Sequence, residues 1–303
     1  MTMQIRTAVG ALGAALTLLA PSAAVAAPTA GPSTGTTVSA PRLVLTPDVR
    51  GYQGELPITV TNRGDSPSVR LLITEPVAGS WNGTVSNEFC MTTVPISYQR
   101  TFECWLSVPP GASSTVTARF EVLTRPRPYA MSTDGGRIAL RSPDVAKPFR
   151  TVFRSTTGSV RHPRAYRPDT RSRASIEVGE ARLTRQSDGR WAGWLPVTVG
   201  YRGDAPHNRL VVASTVPTGV DLTETDPVDL PVFADGFTVP GGRFAAGERR
   251  SFRVKVTAPK GTAPGPLGVG EFVVGAGYEG GDVPEATPRN NVASFPIIAV
   301  DAS

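Results

Sequence analysis

Through the body of this chain the apolar residues recur at every second position. Leu56, Ile58 and Val60 alternate with Pro57, Thr59 and Thr61, and Val69, Leu71 and Ile73 resume the alternation after Asn62-Arg63-Gly64-Asp65. A period of two puts one face of a strand in a core and the other in water, so this stretch predicts an antiparallel pair joined by a turn. The same pattern runs through Val116-Ala118-Phe120-Val122, Val197-Val199-Tyr201, Leu210-Val212 and Phe252-Val254-Val256. Phe272-Val273-Val274 and Val292 to Val300 supply further strands. No amphipathic helix of ten residues is expected beyond the N-terminal segment. Roughly six to eight short strands per unit, separated by frequent turns, predict a β-sandwich.

The chain also repeats itself. Residues 54–71 (GELPITVTNRGDSPSVRL) and 193–210 (GWLPVTVGYRGDAPHNRL) share 11 of 18 positions at an offset of 139. Leu56 aligns with Leu195, Pro57 with Pro196, and Arg63-Gly64-Asp65 with Arg202-Gly203-Asp204. Self-similarity at this distance predicts a tandem duplication. The expected organisation is a flexible lead at 27–40, a first β domain at 41–158, an Arg/Pro-rich linker at 159–173 and a second β domain at 174–303.

Ahead of the lead, Met1 to Arg6 carry one positive charge and Thr7 to Ala20 are almost wholly apolar. Pro21 breaks this run, and Ala24-Val25-Ala26 offers the small-x-small pattern of a signal-peptidase site. An apolar run of 14 residues is short for a membrane span, which needs about 20. The segment therefore reads as a signal peptide, 1–26, cleaved near Ala26. A secreted mature chain without a membrane span is expected.

Of the 303 residues 31 are Gly and 29 Pro, which suits many short strands and tight turns. The net charge of +6 is mild for this length and gives no reason to expect a nucleic-acid partner. Arg dominates the cations, since only Lys147, Lys255 and Lys260 are lysines.

The second unit resembles the immunoglobulin-like repeats of bacterial surface and secreted proteins, of the cell-adhesion-related domain type. LPVTVGYRGDAP at 195–206, PGGRFAAGERRSFRVKVTAP at 240–259, and Asp282 with PRNNVASFPI at 288–297 carry the likeness. The first unit keeps Asn62-Arg63-Gly64-Asp65 but lacks the late Asn-Asn pair. The resemblance implies two tandem immunoglobulin-like antiparallel β-sandwiches, a fold used for spacers and binding modules. It carries little information about function.

The candidate chemistry is sparse. Arg-Gly-Asp occurs twice, and the turn reading is preferred to receptor adhesion, with Gly64 and Gly203 supplying positive φ. Cys90 and Cys104 are the only cysteines, and in an exported chain they are expected to form a disulfide. The bridge would tie an insertion at 79–105 that the second unit lacks. Trp81, Tyr98 and Trp105 of that insertion, with Trp194 of the second unit, are candidates for an aromatic ligand platform, the alternative being core filling. Trp191 and Trp194 lie three apart on one strand and so face opposite ways.

In the linker, Arg161, Arg164, Arg167, Arg171 and Arg173 oppose one acid, Asp169, and are candidate contacts for an anionic polymer. The acids of 219–236 (Asp221, Glu224, Asp226, Asp229, Asp235) lack the spacing of a calcium loop, so no metal site is predicted. No cofactor is predicted either. Only His162 and His207 are present, and no nucleophile, zinc or phosphate-loop motif occurs. The sequence therefore favours a secreted, non-catalytic binding or structural module contacting cell-wall polysaccharide or another extracellular protein. An adhesion spacer is the alternative, and a hydrolase whose two carboxylates meet only in space is the third reading.

Overall fold

The computed structural model describes residues 35–85, 89–93, 99–141, 145–233 and 235–301. The expected signal peptide at 1–26, residues 27–34 of the lead, and Tyr98 lie outside the described residues. Among the described residues every regular element is a strand. The first unit holds β1 (Thr37–Ser39), β2 (Leu43–Asp48), β3 (Gly51–Thr61), β4 (Ser68–Thr74), β5 (Trp81–Thr84), β6 (Cys90–Thr93), β7 (Thr101–Ser107), β8 (Ser113–Val122), β9 (Met131–Leu140), β10 (Val145–Phe153) and β11 (Arg164–Ala165). The second holds β12 (Ala174–Val178), β13 (Ala181–Arg185), β14 (Trp191–Tyr201), β15 (Arg209–Thr215), β16 (Asp221–Asp226), β17 (Gly236–Thr238), β18 (Arg249–Ala258), β19 (Gly265–Tyr278), β20 (Gly281–Val283) and β21 (Val292–Val300).

Each unit is one sheet rolled nearly into a barrel. The first runs β5-β8-β3-β2-β10-β9-β4-β7-β6, with β1 added on β3 and β11 on β9. The second runs β16-β18-β14-β13-β21-β19-β15-β17, with β12 on β14 and β20 on β19. Buried residues of β3 and β8 share one core with those of β4 and β9, so the two wings of the sheet face each other. The second unit encloses its own core in the same way. The alternation predicted the core faithfully: Leu56, Ile58, Val60, Leu71 and Ile73 are fully buried, as are Leu195, Val199, Leu210 and Val212.

The two strand orders match once β6 is set aside, so the duplication extends to topology. The repeated G-x-L-P motif marks the point where one strand stitches the wings together. The first half of β2 runs parallel to β10, and its second half runs antiparallel to β3. In the second unit β13 divides likewise between β21 and β14. A Cβ at Gly54 would lie 2.5 Å from the Val44 carbonyl oxygen, and one at Gly193 only 2.0 Å from that of Arg182. Glycine is required because the crossing strand passes directly over it. Pro196 follows in the gap between the residues paired with β12 and those paired with β13. Its carbonyl accepts from Gly179 on that side, where proline's missing N–H removes no ladder bond.

Three boundaries differ from those expected. The end of the lead is a strand, because Val38 points into the core and β1 pairs with Thr59–Thr61. The stretch 159–173 is not a free spacer: β11 pairs with β9, and Tyr166 is buried in the first core. The insertion is smaller than 79–105, since β5 has a counterpart in β16 and the added strand is β6. Neither Gly64 nor Gly203 adopts positive φ. Instead the Asn62 side chain holds the first turn, accepting from the Gly64 N–H and donating to the Ser66 and Val108 carbonyls.

Candidate functional site

The added strand builds the most exposed apolar surface of the first unit. Cys90 lies directly opposite Cys104 on β7, and the two form the expected disulfide. Along β7 the period of two sends Phe102, Cys104 and Leu106 inward and leaves Thr101, Glu103 and Trp105 on the outer face. Register then places Met91 against Glu103, and Arg70 of β4 against Trp105. The Phe89 ring lies 5.8 Å from that of Trp105. Phe89 and Met91 are 68% and 50% exposed, an unusual state for large apolar side chains.

A charged triad is set into this strip. The Glu103 carboxylate accepts from Arg141 Nη1 at 2.7 Å on both oxygens and from Arg70 Nη1 at 3.4 Å. Its own surface is almost covered, whereas both arginines are about half exposed. Arg70 and Arg141 also wall a cleft of about 610 Å³ that reaches Asn62, Asp65 and Ser66. The arrangement offers an indole and a phenyl ring beside guanidinium donors held by a buried carboxylate.

The three candidate platform residues that are described do not assemble into one surface. Trp81 is half-buried, stacked on Phe102 at 4.1 Å and edge-on to Phe120, so it packs against the core. Tyr98 lies outside the described residues. Trp194 sits on the outer face of the second unit, near Arg253 and Lys255 of β18. Trp191 is fully buried on the opposite face of the same strand, and its indole N–H donates to the Thr262 carbonyl. Only Trp105 joins an exposed aromatic neighbour.

The five linker arginines are all exposed but have different settings. Arg164 caps the Tyr129 ring at 4.2 Å. Arg167 and Arg173 line a cleft at the junction of the units, and Arg173 also lines one on the second unit; Arg161 and Arg171 line neither. Acids of the 219–236 loop are engaged individually: Asp226 pairs with Arg253, Glu224 with Lys255, and Asp229 accepts from the Gly241 N–H.

The units are joined by a polar seam that sequence reasoning missed. Glu75 is completely buried and accepts from the N–H groups of Gly79, Trp81 and Arg100, from the Arg100 guanidinium and from the Tyr278 hydroxyl. Arg100 reaches on to Glu279, and Arg243 bridges the Gly79 carbonyl and Glu121. Asp204, the acid of the second Arg-Gly-Asp, takes bonds from the Thr124 and Tyr166 hydroxyls and the Asp169 N–H. Burial first, then the neighbouring carboxylates, push the Tyr166 and Tyr278 hydroxyls well above the usual phenol range. Both remain donors at any physiological pH. One signal was available, because Glu75 continues the inward series Leu71, Ile73. An acid on a core-facing position demands a buried partner.

No known family model matches the chain, and no curated protein is similar to it in sequence. Among solved structures, a Porphyromonas gingivalis W83 protein of unknown function aligns at 11% identity over 88% of this chain and 99% of that one, with a TM-score of 0.23. The YadV chaperone aligns at 10% identity over 87% and 100%, with a TM-score of 0.23. The CupB6 tip adhesin from Pseudomonas aeruginosa aligns at 9% over 88% and 99%, with a TM-score of 0.25. Scores this low carry no argument about site or function.

Proposed function

We propose that this chain is a secreted, non-catalytic binding module made of two immunoglobulin-like sandwiches, and that it binds cell-wall polysaccharide through the outer face of β6 and β7. The observation that carries this reading is the exposed Phe89 ring against the half-buried Trp105, beside the Arg70–Glu103–Arg141 triad. Sugar rings present apolar C–H faces and hydroxyl edges. An indole takes the face, and preorganised guanidinium groups take the edge. The disulfide fixes the strand that presents them, which lowers the ordering cost of binding.

The test is retention of the purified protein on insoluble peptidoglycan, chitin and cellulose at low and moderate salt. Retention that survives salt and falls at least tenfold in Trp105→Ala is the expected result. If Trp105→Ala binds as well as the parent, the aromatic reading is wrong. A second reading, docking of another protein on the same face, is favoured by the exposure of Phe89 and Met91 at the sheet edge. Absence of retention on every polysaccharide would support it.

A further inference from the structure

We infer that the junction of the two units is a separate binding site for a linear phosphate polymer. A cleft of about 530 Å³ lies there, and a cleft of about 630 Å³ on the second unit shares one wall with it. That wall is Arg173 and Arg202, whose backbones are joined by a hydrogen bond from the Arg202 N–H to the Arg173 carbonyl. Arg249 and Arg289 line the far side of the larger cleft. Arg125, Arg127 and Arg167 line the smaller. Seven arginines from both units thus face three acids, in a chain whose net charge is +6.

The acids are largely occupied. Glu177 pairs with Arg249, and Asp204 is saturated by Thr124, Tyr166 and the Asp169 N–H. Asp169 is the remaining one, and its carboxylate lies near Gly203. Arg127, Arg167, Arg173, Arg202 and Arg289 have no acid within ion-pair distance among the described residues. Like charges held together without counter-charges cost stability, and a bound polyanion relieves that cost.

The chemistry selects the ligand. A guanidinium is always charged and presents a donor fork that matches phosphate oxygens. The clefts are concave and adjacent across Arg173 and Arg202, which suits a chain more than the flat surface of a bilayer. They are poor in stacking surface: Tyr166 is buried and Tyr129 is capped by Arg164. Single-stranded nucleic acid relies on aromatic platforms for its bases, so a polymer without bases fits better.

The test is titration of the intact mature protein with inorganic polyphosphate by fluorescence anisotropy, beside poly(dT) and anionic-phospholipid vesicles. Expected are binding to polyphosphate at 50 mM salt, weakening of roughly tenfold or more by 200 mM, and a further loss of about tenfold in Arg173→Glu/Arg202→Glu. Arg289→Glu, at an exposed lining residue outside the strands, should give a smaller loss while leaving the fold intact. The same charge change at Arg63 and Arg209, away from the clefts, should have less effect than the cleft pair. Absence of binding at 50 mM salt overturns the inference, as does equal weakening by cleft and control variants. Vesicles or poly(dT) binding tenfold more tightly than polyphosphate would also overturn it. Trp105→Ala should leave polyphosphate binding unchanged, so this site and the polysaccharide site succeed or fail separately.

Discussion

His207 shows how one buried side chain makes this fold sensitive to acid. It is 4% exposed and packs 4.5 Å from the Tyr201 ring. Its Nδ1 lies 3.0 Å from the Ala205 carbonyl, and its Nε2 is 3.0 Å from the Phe244 N–H. A carbonyl needs a proton on Nδ1 and an N–H needs a bare Nε2, so the bonds admit only the neutral ring. Burial lowers its pKa from 6.5, and the Arg243 and Arg250 charges push the same way, against the Ala205 carbonyl and Glu248. Below about pH 6.5 the unfolded chain therefore takes up a proton that the folded chain refuses. His207 should make the protein lose stability as the pH falls from 7 to 5. Urea midpoints at the two values, compared with those of His207→Gln, measure it. The variant should show the smaller difference, and equal differences would remove His207 as the cause.

At the scale of elements, the crossover explains why one short motif survives in both units. The strands themselves were legible, because alternation alone located the inward residues of β3, β4, β8, β14 and β18. What alternation cannot report is where a strand changes partner, since that depends on backbone closeness and not on side-chain polarity. Gly54, Pro57, Gly193 and Pro196 were visible as repeated letters, but their reason appears only with β2 and β13 in place. For the same cause alternation left Trp81 open between platform and core: its packing partner Phe102 lies 21 positions later in sequence. Gly193→Ala places a methyl group 2.0 Å from a carbonyl oxygen of the crossing strand, which no side-chain rotation relieves. It should cost about 3 kcal/mol, and Gly54→Ala somewhat less. Gly275→Ala, whose new Cβ meets no atom within 4 Å, should fall within about 0.5 kcal/mol of the parent. If all three variants unfold alike in urea, close approach is not why the motif keeps glycine.

For the whole molecule, the seam decides whether two units behave as one body. Each unit buries a core of its own, so nothing in their interiors requires them to unfold together. Polar coupling comes from Glu75, which takes donors from both units, from Asp204, which takes Thr124 of the first unit with Tyr166 and Asp169 of the linker, and from the Arg243 bridges. A buried carboxylate in such a setting contributes little net energy while intact but is expensive to remove. Its loss strands Tyr278 and several N–H groups without an acceptor and leaves the Arg100 guanidinium only Glu279. Glu75→Ala should therefore destabilise by about 3 kcal/mol, whereas Glu55→Ala, which breaks the exposed pair with Arg119, should cost under about 1 kcal/mol. The sharper consequence concerns cooperativity. The parent should melt in one calorimetric transition, and Glu75→Ala/Asp204→Ala should resolve into two, because the cores then lose their shared network. Separation of the units would also move the arginines of the first unit away from Arg173 and Arg202, so the same double variant should bind polyphosphate more weakly although it leaves every lining arginine in place. A parent that already melts in two steps would mean that the seam orients the units without coupling them. The phosphate site would still precede its ligand, because orientation alone brings its arginines together.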